Sequence, residues 1–158
     1  MTSAEMVAIA GACNRYPDVQ IAYECAAASA SASGDGDGDG EEEEGRKETV
    51  EGKMVTVVVE LEREWDGDEN GTSPLPPAVA PHFPGGRKEE SWWLVVGNTE
   101  QNAVLAVKKV HLGLKQKSKL KFPAPEAGKH QLKLMLMCDA YLGCDQEYEF
   151  TLRTVPSA

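Results

Sequence analysis

"HQLKLMLMCDAYLGCDQEYEFTLRTV", residues 130–155, holds two alternating runs around a polar connection. In the first, Leu132, Leu134, Leu136 and Cys138 share one phase of a two-residue period. In the second, Tyr148, Phe150 and Leu152 do the same. Alternation of this kind marks a half-buried β-strand, because successive side chains in a strand point to opposite faces. The connection, CDAYLGCDQEY at 138–148, packs two cysteines, three carboxylates, two tyrosines and a glycine into eleven positions. That composition suits a metal cradle or a redox pair, but the strand phase gives it a simpler task. Cys138 falls on the core face, and Gly143 supplies the positive φ that a tight connection needs. Asp139 and Asp145 carry side chains suited to bonding backbone amides. The stretch reads as a structural corner.

The same period extends outward. VQIAYEC (19–25), KMVTVVVELER (53–63), SWWLVVG (91–97), NAVLAVKKV (102–110) and LKQKSKLKF (114–122) all read as strands. SWWLVVG is nearly continuous in apolar residues, as a central strand buried on both faces would be. Residues 3–14 read as a short helix capped by Ser3, with Met6, Ile9, Ala10 and Cys13 along one stripe. The predicted fold is therefore all-β. It is an immunoglobulin-like, C2-like sandwich of about seven strands, with one short N-terminal helix. Residues 1–18 form the helix and its lead-in, and 19–155 the sandwich. Within it, 26–48 is expected to be a disordered acidic insertion, since it has no large apolar residue to offset the entropy of ordering. A Pro/Gly-rich loop covers 64–90.

The net charge of −10 is unevenly placed. Residues 34–48 carry −6, whereas residues 101–133 hold eight lysines against Glu126 alone. The global acidity thus belongs to the insertion, and the folded part has a basic side. The N-terminus has no basic start and places Glu5 inside its apolar stretch, unlike a signal peptide. A reducing, nuclear or cytosolic setting is the expectation. There Cys13, Cys25, Cys138 and Cys144, at spacings that fit neither zinc nor a C-x-x-C pair, are structural thiols.

No phosphate-cradling G-x-x-x-x-G-K-[ST], nucleophile-elbow G-x-S-x-G or zinc-binding H-E-x-x-H occurs, and His82, His111 and His130 are scattered. No catalytic residue, cofactor site or metal site is expected. The Asp-Gly repeat lacks the hydrophobic anchors and distal Glu of a calcium loop. Asp139 and Asp145 alone offer too few oxygens for a calcium-binding sandwich.

Two features remain open. Lys115, Lys117, Lys119 and Lys121 form a stripe that could touch RNA phosphates or simply guard an exposed strand edge. Adjacent Trp92 and Trp93 must face opposite ways in a strand, so one anchors the core and the other is free to meet a partner.

"CNRYPDVQIAYE" (13–24), "VAPHFPGGRKEESWWLVVGNT" (79–99) and "MCDAYLGCDQEYEFTL" (137–152) together resemble a known family. It is the immunoglobulin-like C-terminal part of the Sec63 homology unit, which closes each helicase cassette of large spliceosomal DExH-box RNA helicases. Related units occur in the activating-signal cointegrator helicase and in a J-domain protein of the endoplasmic-reticulum translocon. Cys at position 144 favours the spliceosomal branch. On this resemblance the signature positions are Trp92, Trp93, Gly97, Asp139, Tyr141, Gly143, Cys144, Asp145, Gln146 and Tyr148. Ser91 and Asn98 depart from the family's Gly and Asp. The resemblance implies a nuclear, non-enzymatic module without the helicase motor. Its expected partners are the helical parts of its own cassette and spliceosomal proteins, with RNA secondary and no membrane.

Overall fold

A computed structural model describes residues 2–27, 48–65, 75, 77, 78 and 82–157. The expected acidic insertion, apart from its ends, and much of the Pro/Gly-rich loop lie outside them. One helix, α1 (Ser3–Cys13), precedes eight strands among the described residues. These are β1 (Asp18–Ala27), β2 (Glu48–Val50), β3 (Met54–Glu64), β4 (Trp92–Asn98), β5 (Ala103–Val110), β6 (Lys115–Pro123), β7 (Gly128–Cys138) and β8 (Gln146–Val155). They form a three-stranded sheet, β1-β3-β6, and a five-stranded sheet, β2-β8-β7-β4-β5.

The alternation read from the sequence sets which face each strand buries. Val55, Val57, Val59 and Leu61 of β3, with Leu120 and Phe122 of β6, point inward from the smaller sheet. Trp92, Leu94 and Val96 of β4 meet them from the larger one, beside Leu132, Leu134 and Leu136 of β7 and Leu152 of β8. All belong to one apolar cluster, so the two sheets share a single core. Tyr148, Phe150 and Cys138 pack against its margin.

Three local details depart from or add to the sequence reading. The helix cap is Thr2 in place of Ser3, because Glu5 then sits three residues on and completes a reciprocal box. The Thr2 hydroxyl accepts from the Glu5 amide (3.3 Å), and the Glu5 carboxylate accepts from the Thr2 amide (2.7 Å). The apolar residues spaced along α1 meet no core: none of the helix is buried. And β2 is a strand the sequence hid. Three residues long, it exists by pairing parallel to β8, with Thr49 beside Thr154.

At the β4–β5 turn the Asn98 side-chain oxygen accepts from the amides of Glu100 (3.0 Å) and Gln101 (3.1 Å). A register shift at Val96/Gly97 follows, with Val96 opposite Ala106 and Gly97 opposite Val104.

Candidate functional site

The 138–148 connection closes on itself and then grips two other segments. Gly143 adopts φ +79°, and an added Cβ there would lie 3.4 Å from the Tyr16 hydroxyl. Asp145 Oδ1 accepts from the Cys138 amide at 3.0 Å, locking the loop across its base. Asp139 reaches further. Its Oδ1 accepts from the Ser91 amide (2.9 Å) and its Oδ2 pairs with Lys88 Nζ (3.0 Å). Its own amide donates to the Ser91 carbonyl (3.1 Å). The corner is thereby tied to the start of β4.

Its other side holds the lead-in from α1. Gln146 Nε2 donates to the Val19 carbonyl (2.8 Å), and its Oε1 accepts from the Tyr148 hydroxyl (2.6 Å). Tyr141 meets Tyr16 edge-on, with centroids 5.2 Å apart. Buried Cys144 rests its sulfur 3.9 Å from the Pro17 carbonyl. Asp139, Tyr141, Cys144 and Gln146 thus join segments far apart in sequence, while Asp145 closes the loop itself. Leu142, 93% exposed at the tip, points away.

Cys25 and Cys144 are buried and Cys138 half-buried, while Cys13 is exposed; burial pushes the Cys138 and Cys144 thiols above the ordinary range, so both stay protonated at neutral pH. Among the described residues no three His, Cys, Asp or Glu gather as metal ligands. His130 bonds the Glu126 carbonyl through Nε2 (2.7 Å), while Cys144 leans on Pro17, so each has its own partner.

Asp139 makes the corner sensitive to acid. Burial opposes its ionisation, but the Ser91 amide and the Lys88 ammonium outweigh that and hold the carboxyl below the usual aspartate range. A depressed folded-state pKa stabilises the fold above the unfolded value, about pH 4, and the benefit fades as pH falls through the lower folded value. Asp139→Asn keeps the Ser91 contact and removes the charge. Thermal melts of both proteins from about pH 7 to pH 2 are expected to differ most above about pH 4 and to converge below it. A gap independent of pH would refute this assignment.

A second hub escaped the sequence reading. Arg63 continues the inward phase of Val55 to Leu61, and its side chain is only 3% exposed. It pairs with Glu90, and the same Glu90 Oε1 accepts from Trp92 Nε1 at 2.6 Å. The signal was present: a charge on the apolar face of a strand requires a buried counter-ion. What was missing was the counter-ion's address, 27 residues on in a loop.

Trp92 is buried and Trp93 is 37% exposed, its ring 5.7 Å from Lys109 Nζ. The lysine stripe lies on β6, an edge strand. Lys115 pairs with Glu62 (2.9 Å) and Lys117 with Glu60 (2.6 Å), both across the β3–β6 ladder. Lys119 and Lys121 stand opposite Val58 and Thr56. Two phosphate contacts by this pair would contribute about 1.4 to the slope of log affinity for single-stranded RNA against log salt. We expect Lys119→Glu/Lys121→Glu to leave that slope unchanged in an RNA titration, on the reading that lysines on an edge strand guard it against edge-to-edge pairing.

The family model described as the Sec63 Brl domain matches residues 1–151. A DExH-box ATP-dependent RNA helicase of Arabidopsis thaliana, DExH12, is 40% identical over 153 residues, which is 96% of this chain and 6% of the helicase. The U5 small nuclear ribonucleoprotein 200 kDa helicases are similar to the same extent of chain. That of Drosophila melanogaster is 38% identical and that of Homo sapiens 36%, each covering 96% of this chain and 6% of the relative. The chain therefore spans only a small part of the length of these relatives.

Proposed function

The chain belongs to the Sec63 Brl domain family, and from that premise we propose that it is a non-catalytic interaction module of a spliceosomal RNA helicase, acting in the nucleus. Its partners on this reading are the helical parts of a helicase cassette and spliceosomal proteins. The shared two-sheet core is read as the immunoglobulin-like sandwich of such modules, with residues 1–18 as its lead-in and 19–155 as its body.

The observation that carries the reading is α1. It is properly capped, and the lead-in that follows it is held to the corner through Tyr16, Pro17 and Val19, yet no α1 residue is buried. Met6 is 52% exposed, Val7 69% and Ile9 53%. An isolated helix of eleven residues is marginal in water, so a helix this apolar gains its stability from a partner surface. The helical parts of a cassette offer that kind of surface. The corner then has a clear purpose: it fixes the angle at which α1 leaves the sandwich.

The test is affinity capture from nuclear extract with the full chain as bait, read by mass spectrometry. Spliceosomal proteins are expected with the wild type and lost with Val7→Glu/Ile9→Glu, while the melting temperature stays within a few degrees. Recovery of translocon components instead would overturn the spliceosomal assignment. RNA-stimulated ATP hydrolysis by the purified chain would overturn the non-catalytic one.

A further inference from the structure

The outer faces of the two sheets differ at their centres. That of the smaller sheet is charged: Glu60 and Glu62 of β3 face Lys115 and Lys117 of β6. An antiparallel sheet with one face on the core ordinarily carries polar residues on the other, and this one does. The outer face of the larger sheet is polar along β8 and at Lys133 and Lys109, but apolar between them. Trp93 lies beside Met137, and Val95 lies between Met135 and Val107, in adjacent rows of the β5-β4-β7 ladder. Val107 is 55% exposed, and Val104 nearby is 65% exposed. Gly97 keeps the floor low, since an added Cβ would sit 3.6 Å from the Met135 methyl.

The geometry points to an amphipathic α-helix of a partner protein as the occupant of this face, with acidic residues along its β5 flank and basic residues along its β8 flank. Three strands place β5 and β7 about 10 Å apart, and residues 93–97 extend about 13 Å. That footprint matches one helix of about 10–12 Å diameter over two to three turns. Two unbranched methionines beside a tryptophan make a conformable apolar floor, as helix-binding surfaces often do. Charge sets the polarity. Lys109 stands on the β5 side, opposite Trp93. On the β8 side Glu147 and Glu149, 60% and 70% exposed, share the single Lys133. This surface is separate from α1 and the corner, so the inference stands or falls independently of docking through the helix.

The experiment is a selection from a displayed library of helical peptides of about 18 residues against the full chain, counter-selected on Trp93→Asp. Enriched peptides are expected to place apolar residues at i, i+3 or i+4, and i+7, with acids on one flank and bases on the other. Trp93→Ala should weaken an enriched peptide at least about tenfold, and Lys109→Glu should favour peptides with the acidic flank replaced by lysine. A cooperative melt of each variant checks that it is folded. Enrichment of peptides with a two-residue apolar period, or of none that depend on Trp93, would overturn the proposal. So would a dimer in sedimentation equilibrium that Trp93→Asp dissociates, which would assign the face to a second copy of this chain.

Discussion

Replacing Glu90 with alanine is expected to cost the fold about 3–5 kcal/mol, a large share of the roughly 5–15 kcal/mol that holds a domain together. The reason is what the substitution leaves behind. Arg63 is 3% exposed in its side chain and Glu90 12%, so each is the other's means of staying charged away from water. Without Glu90 the guanidinium is buried with no counter-ion, and its Nε already lacks a partner. The Trp92 indole N–H loses its acceptor in the same step, a further desolvation cost of about 1–3 kcal/mol that overlaps with the first. Glu90→Gln separates the two effects, since it keeps an acceptor for Trp92 but removes the charge, and an intermediate loss follows. The pair as a whole is worth far less than the damage done by breaking it. Arg63→Met/Glu90→Leu, which removes both charges, is expected to recover most of the stability lost in Glu90→Ala. Urea unfolding at constant slope compares all four proteins. A double variant as unstable as the single one would mean that the hub matters for packing and not for charge.

That hub also marks how far sequence reasoning reaches. The alternation of β3, β6, β7 and β8 assigns their core faces, because a strand shows its burial in every second residue and needs no knowledge of its neighbours. The corner was legible for a related reason. Gly143, Asp139 and Asp145 are residue types whose backbone chemistry is local, and Asp145 does close its own loop. What stayed hidden depends on distant segments. Asp139 bonds Ser91 and not its own turn. Arg63 announces a buried charge without naming Glu90. The three residues of β2 have no period to read, and their strand is created by β8. In α1 the spacing of Met6, Ile9 and Ala10 marks a helix but does not say what it packs on, and none of its residues is buried. Pairwise chemistry across the fold is what a linear pattern does not carry.

The adjacent tryptophans give the second large effect, and the contrast between them is the measurement. Trp92→Ala is expected to destabilise by about 3–5 kcal/mol, the usual cost of emptying a buried aromatic site. Trp92 is 1% exposed, lies in register with Cys138 and Val110, and holds the Glu90 carboxylate. Its removal opens a cavity between the sheets and frees Glu90 from one of its two contacts. Trp93→Ala removes a ring of the same size one residue away, yet is expected to cost only about 1 kcal/mol, since that ring is 37% exposed and its Lys109 contact is a surface cation–π pair. Chemical denaturation of the two variants reads the difference directly. If Trp93→Ala proved as damaging as Trp92→Ala, the outer face would be stabilising the fold and no selection for partner binding would be needed to explain it. If the contrast holds, stability leaves position 93 open to other residues, and an aromatic there, flanked by Met137 on β7 and Lys109 on β5, is free to serve the partner contact proposed for this face.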